Sequence, residues 1–419
     1  MRCVLLLLLF ALPVAAQEYA ICMGGSGHGT AVFAIQHEGK TALTFGARAG
    51  KGTVIEPSGR VHDRTLGIET VTFAGLPVGV DHELFVIRES KIVDRRTFRV
   101  PDAAAAKGRI LIASCLDDVF EKEQKQIWGE ALAHGPDAIF LIGDNCYADV
   151  ANGRLVRDIT PAKLAARHAE TRARLALFRA ARLVPIFSVW DDHDYGLNNA
   201  GREFVHKRAS KRIFRTYFPQ PEIDGFLEHG PGLSSSFALF GQRWIFLDGR
   251  TFRSPNRNPV PDETVFGAAQ EAWLFAQLAQ ATPAWIVSGA QFFGGYHRFE
   301  SYEACQPNSF GRFKERLKTV KAPFAFVTGD RHLTELMKID AGECGLETWE
   351  LTTSAIHART FPNSWEKSPN PRKVHGVSGA LNYAVLDVES GPALTAGIRV
   401  YGIDKVLHYD QAIKVARGE

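Results

Sequence analysis

The chain has 419 residues, too many for one average domain and enough to bury a full core. Its composition, 45% hydrophobic and 23% charged, excludes the disordered and fibrous classes. A formal charge of +3 without any lysine-rich block carries no nucleic-acid signature, and it is compatible with a small anionic substrate.

In chain order, Met1-Arg2-Cys3 is a basic start, residues 4–12 are apolar, and Pro13-Val14-Ala15-Ala16 is a small-residue exit. Residues 1–16 therefore read as a secretory signal peptide cleaved after Ala16, too short to span a bilayer. No later stretch is apolar enough to cross a membrane, so the expectation is an exported protein, periplasmic or secreted. Export places the five remaining cysteines in an oxidising compartment, and an odd number leaves at least one unpaired. Cys305 and Cys344 are candidates for a bridge between the later loops, and Cys22 and Cys146 are weaker ones.

Residues 17–102 alternate in short runs. Thr30-Ala31-Val32-Phe33-Ala34-Ile35, Thr70-Val71-Thr72-Phe73 and Leu84-Phe85-Val86-Ile87-Arg88 read as strands between turn residues. The expectation is a small all-β domain, a sandwich of the immunoglobulin or fibronectin kind. An alanine-rich linker follows at residues 101–108. From 109 to 419 buried strands alternate with helices, the pattern of a layered α/β domain. Strands are expected at 109–113, 138–142, 183–189, 244–247, 284–287 and 324–327, and helices at 120–133 and around 161–182.

Each of those strands ends in polar residues. They are Ser114-Cys115-Leu116-Asp117, Gly143-Asp144-Asn145-Cys146-Tyr147, Asp191-Asp192-His193-Asp194, Asp248-Gly249-Arg250, Ser288-Gly289-Ala290-Gln291 and Thr328-Gly329-Asp330-Arg331-His332. Taken singly, each has an ordinary structural reading: Gly-Asp as a turn, Cys115 as a small core residue, Tyr147 as a half-buried aromatic, His193 as part of a surface ion cluster, Arg250 and Arg253 as solvated or paired cations. Their shared position outweighs this, since the carboxyl edge of one sheet is where α/β proteins bind ligands. Carboxylates packed so densely repel one another unless a cation lies between them. Thiolate, phenolate and carboxylate donors suit a highly charged ion, while carboxylate and imidazole suit a divalent neighbour. Two such ions, about 3.5–4 Å apart in known sites, orient and acidify a water for in-line attack at phosphorus. A nearby histidine can protonate the leaving alkoxide.

Gly143-Asp144-Asn145-Cys146-Tyr147-Ala148-Asp149, Trp190-Asp191-Asp192-His193-Asp194-Tyr195-Gly196 and Gly329-Asp330-Arg331-His332-Leu333-Thr334-Glu335 resemble signatures of the PhoD-like alkaline phosphatases, within the calcineurin-like metallophosphoesterase superfamily. Ser114-Cys115 and Leu247-Asp248-Gly249-Arg250-Thr251-Phe252-Arg253 resemble two further motifs, and the likeness covers roughly residues 109–357. The resemblance implies a four-layer α/β/β/α catalytic sandwich and a metal-dependent phosphatase cleaving phosphate mono- or diesters by a metal-bound hydroxide. It implies Asp144 as the bridge between two ions, with Cys115, Tyr147 and His332 on an Fe(III). Asp192 and Asp330 serve a Ca(II) or the bridge, with Zn, Mn or Mg as other ions. His193 is the implied proton donor. Asp117 and Asp191 stand as further ligands or as supports for the ligands, and Arg250 and Asn198 as donors to the phosphate. Asp117 replaces a superfamily histidine, and Gly249 stands where the family motif more often has threonine. Two alternatives accompany this reading, a phosphodiesterase for lipid headgroups or nucleotides and a non-catalytic secreted binding protein. The intact set of acids speaks against the second. The residues set no oligomeric state.

Overall fold

The structure is a computed structural model that describes residues 17–416 except Lys40, Asn152, 257–259 and Arg298. The signal peptide expected at residues 1–16 lies outside the described residues.

The branched and aromatic residues of the N-terminal part suit a half-buried pleated surface, and they form strands there. Ala20–Met23, Ala31–Gln36, Ile68–Phe73 and Gly59–Asp63 make one four-stranded antiparallel sheet, in that spatial order. A second four-stranded sheet runs Arg182–Leu183, Lys91–Arg99, Asp81–Arg88, Leu43–Ala49. The two face each other across a core that includes Phe33, Phe45, Phe73, Val86 and Phe98. Phe33 stands edge-on to Phe73 and Phe98, with ring centroids 6.0 and 5.0 Å away.

The strand Arg182–Leu183 departs from expectation. Residues 183–189 read on sequence as one strand, yet the segment divides at Val184-Pro185. Proline has no N–H for a ladder and suits such a break. Before it, Leu183 pairs in parallel with Phe98 and fills the N-terminal core. After it, Ile186–Val189 pairs with Ala138–Ile142 in a different sheet.

That sheet has six strands in the order Ile186–Val189, Ala138–Ile142, Lys107–Ala113, Asn382–Glu389, Leu394–Gly402, Leu407–Val415. An eight-stranded sheet contains Gln242–Leu247, Ala284–Ser288, Phe324–Thr328 and Thr348–Thr352 as consecutive parallel neighbours. Every residue of Ala138–Ile142, Ala284–Ser288 and Phe324–Thr328 is buried, as expected where a parallel sheet is covered on both faces. Phe140 of the six-stranded sheet meets Phe237, Trp244 and Phe246 of the other edge-on, at 5.8, 4.8 and 5.2 Å. The helix Pro161–Arg174 starts with Thr160 as cap and Pro161 in the first turn, where its missing N–H is harmless.

The six polar strand ends therefore belong to two sheets, three to each, and not to one as the sequence reading has it. The expected disulfides do not form: Cys22, Cys115, Cys146, Cys305 and Cys344 are all buried free thiols. No helix among the described residues is long and apolar enough to cross a membrane.

Candidate metal centre

Loops from the two sheets interlock because glycine occupies the points of closest approach. Gly143 has φ +104°, and a Cβ there would fall 2.7 Å from the Asp191 Cβ and 3.2 Å from the Cα of Gly289, which follows a strand of the other sheet. A Cβ on Gly329 would fall 2.8 Å from the carbonyl oxygen of Ile142. Cys115, Asp144, Asp330 and His332 follow strands and all adopt left-handed backbone, with φ of +59°, +52°, +68° and +52°. This conformation costs a non-glycine residue on the order of 1–2 kcal/mol, and such residues concentrate at functional sites. The Asp191 segment is fixed differently. Asp191 caps the short helix Asp192–Tyr195, and the Asp194 side chain accepts from the Asp191 N–H in return.

Three overlapping groups of donor atoms result. Cys115, Asp144 and His332 offer ligand atoms within 4.8 Å of one another, as do Asp144, Asp192 and His193, and Asp191, Asp192 and Asp330. Asp144 and Asp192 are each shared by two groups, so the set is one continuous row. Cys115 Sγ lies 3.5 Å from Asp144 Oδ2 and 2.9 Å from Ser354 Oγ. Tyr147 adjoins the row at both ends of its ring. Its hydroxyl is 3.0 Å from His332 Nε2, and its ring lies 4.4 Å from that of His193. Asp144 Oδ1 and Asp191 Oδ2 are buried without any hydrogen-bond partner. Buried carboxylate oxygens are rarely left so, and here they face other anionic donors. This is the arrangement a bound cation satisfies, so the residues fit metal ions.

The electrostatics agree. Burial first, and then neighbouring anions, push Asp144 well above the carboxylate range and Asp330 up to about 6. Burial likewise raises Tyr147 well above its usual value and the Cys115 thiol to about 12. Burial also works against the charged form of Asp192, but His193, Arg250 and the Asn199 N–H outweigh it and hold this carboxylate low. These shifts favour the protonated forms of Cys115, Asp144, Tyr147 and Asp330, and positive ions among the donors reverse that logic.

His193 lies at the edge of the row. Its Nδ1 is 2.5 Å from Asp149 Oδ1, which leaves Nε2 as the free ring nitrogen. Desolvation disfavours the imidazolium, but Asp192, Asp144 and Asp149 together raise its pKa well above the ordinary value.

Three residues singled out on sequence are not members of the donor row. Asp117 is half-buried, and its carboxylate accepts from the Val119 N–H. Arg250, expected to hold phosphate, is wholly buried. Its Nε is 2.5 Å from Asp191 Oδ1, and both terminal nitrogens bond Glu300, at 3.0 and 2.9 Å. A guanidinium sequestered by two carboxylates is a strut and not a substrate clamp, which corrects the reading of Arg250. Asn198 is exposed, and its backbone N–H donates to Asp149 Oδ2 at 2.7 Å, beside His193.

Sequence reasoning missed Asp149, Ser354 and Glu300. Asp149 closes the first quoted motif, but nothing in its spacing marks it as the partner of His193. Ser354, whose hydroxyl touches Cys115 Sγ and accepts from the His332 N–H, follows the strand Thr348–Thr352, a further strand end of the same kind that the reading passed over.

Comparison with known proteins gives four findings. A model of the PhoD-like phosphatase family matches residues 110–387. Alkaline phosphatase D of Bacillus subtilis (strain 168) is 26% identical over 247 residues, 51% of this chain and 41% of that protein. The chain thus spans under half the length of this curated relative. Among solved structures, one described as the structure of PhoD superposes with a TM-score of 0.70 at 17% identity, covering 98% of this chain and 94% of its own. A purple acid phosphatase from yellow lupin seeds gives a TM-score of 0.67 at 12% identity, over 94% and 74%. These two likenesses concern the fold, a mixed α/β architecture with several sheets.

Proposed function

The chain belongs to the PhoD-like phosphatase family, and from that premise we propose that it hydrolyses phosphate mono- or diesters at the row of donors around Asp144. The observation that carries this reading is Asp144 itself: shared by two ligand groups, buried, and with Oδ1 unpartnered. Cys115, Tyr147, His332 and Asp144 would hold one ion, and Asp144, Asp192 and Asp330 the other, with Asp191 flanking the second. Fe(III) and Ca(II), the pair suggested by the family resemblance, with Zn, Mn or Mg as alternatives, would supply Lewis acidity and an acidified water. Asp149 orients His193 and stabilises its protonated form, so that Nε2 can deliver a proton to the leaving oxygen. Asn198, exposed beside that pair, is a donor to the phosphate. Arg331 and Arg359 take the place first given to Arg250. Each adjoins the His332 loop, neither is paired with a carboxylate among the described residues, and each lies over a phenylalanine ring, Phe299 at 5.0 Å and Phe361 at 5.3 Å.

The same proposal includes the finer architecture. The six- and eight-stranded sheets are read as the inner layers of an α/β/β/α sandwich, and the N-terminal pair of sheets as an immunoglobulin- or fibronectin-like domain. Export through a leader at residues 1–16 belongs to it as well. The test is metal analysis of the purified protein with a panel of mono- and diesters. Turnover of at least one ester class that is lost on chelation is expected; no turnover by metal-replete protein would overturn the reading. A Tyr147 phenolate on Fe(III) should also give visible charge-transfer absorption, and a colourless, fully loaded, active protein would exclude iron while leaving the phosphatase reading in place.

A further inference from the structure

We propose a separate metal site in the first four-stranded sheet, formed by His37, His62 and Glu69 and suited to zinc or a similar late divalent ion. Strand register brings the three together. His62 and Glu69 are direct partners across Gly59–Asp63 and Ile68–Phe73, and Ile35 is the partner of Glu69 on its other side. Directly paired residues share a face of a sheet, and so do residues two apart on one strand. His37, two beyond Ile35, is therefore directed to the same face as Glu69 and His62. That face is the inner one, since Ile35 belongs to the core between the two N-terminal sheets.

The side chains meet at the rim of this core. Each offers a ligand atom within 4.8 Å of the other two. Glu69 is 3% exposed, and its two oxygens have separate tasks: Oε1 accepts from Arg60 Nε at 2.7 Å, while Oε2 lies 3.0 Å from His37 Nε2. The His62 ring stacks on that of His37 with centroids 4.7 Å apart, and its Nε2 is buried with no hydrogen-bond partner. The unpartnered nitrogen, beside a carboxylate and a second imidazole, is what the ion would take up. Two imidazoles and one carboxylate form a donor set typical of zinc with a position left for water. Arg60 then acts as the outer partner that aims the carboxylate. Binding moves the His37 proton from Nε2 to Nδ1 and breaks the 3.1 Å contact that Nδ1 accepts from the Gly39 N–H. A bound ion would pin the edge strand Gly59–Asp63, whose residues are all exposed or half-buried, to its neighbours.

The site rests on none of the chemistry proposed around Asp144. The experiment is zinc-edge anomalous diffraction from crystals of the full chain equilibrated with zinc at mildly alkaline pH, since protons compete with the metal for its ligands. A peak bonded to His37, His62 and Glu69 is expected, and in the His62→Ala protein that peak should vanish while any peak at Asp144 remains. The absence of a peak at His62 in the unaltered protein at saturating zinc, or its persistence in His62→Ala, would overturn the proposal. The unaltered chain decides the matter by itself if the variant fails to fold.

Discussion

Two sets of buried acids lie among the same strand ends, and they are built in opposite ways. Asp248 is saturated. It accepts from Trp190 Nε1 at 2.8 Å, from the N–H groups of Leu233, Arg250 and Thr251, and from the Thr251 hydroxyl. Glu300 is held by Arg250, Arg253 and Asn256. Asp144 and Asp191, by contrast, each keep a buried oxygen with no donor, and Asp144 faces a thiol and further carboxylates. Burial and negative charge alone therefore do not mark a metal centre. Unfilled lone pairs turned toward other donors do, and at Asp144 they also sit on left-handed backbone, a combination the fold tolerates only where something else satisfies it.

The contrast can be broken by substitution. The largest effect is expected for His193→Ala, which should lower kcat roughly 10²–10⁴-fold with metal content unchanged; an unaltered rate would remove His193 from the reaction. Next is Glu300→Ala. It leaves Arg253 buried without its carboxylate and Arg250 with Asp191 alone, and should cost about 3–5 kcal/mol in denaturant unfolding; a loss below about 1 kcal/mol would show that Arg253 is solvated. The sharpest comparison sets Asp248→Asn against Asp144→Asn in chelator. The first should lose about 1–3 kcal/mol, as a satisfied acceptor is replaced, whereas the second should lose no stability while abolishing metal uptake. Equal losses would erase the distinction between the two sets.

The smallest effect concerns Glu350, which accepts from the Phe292 and Phe293 N–H groups and from Thr328. Burial prevails over these bonds and raises its pKa to about 7. The folded state then binds this proton more tightly than the unfolded chain does. The contribution is complete below the ordinary glutamate range and is lost as pH rises towards about 7. Glu350→Gln should flatten the stability profile over that window, and an unchanged slope would contradict the assignment.

Much of the centre was legible because strand ends announce themselves. Apolar runs that stop at Cys115, Asp144, Asp192 and Asp330 are local patterns, and a local pattern survives without coordinates. What did not show were relations across the fold. Asp149 and His193 are 44 residues apart and meet only when two loops pack. Arg250 reads on sequence as a donor to phosphate because Glu300, 50 residues on, carries no motif that would pair them. The division of the strand ends between two sheets was hidden for the same reason, since apolar runs do not encode which neighbour they pair with. The Val184-Pro185 break was visible as a proline, but its effect, sending Leu183 and Ile186 to different sheets, was not.

That break has a consequence for the order of assembly. One edge of the second N-terminal sheet is completed by Arg182–Leu183, supplied more than 80 residues after Phe98, the partner of Leu183. During synthesis the strand Lys91–Arg99 emerges early with an open edge and with no Leu183 in the core beneath it. A fragment ending in the alanine-rich linker would keep that exposed edge permanently and should self-associate through it. The second N-terminal sheet is thus finished by a strand from the chain that follows it.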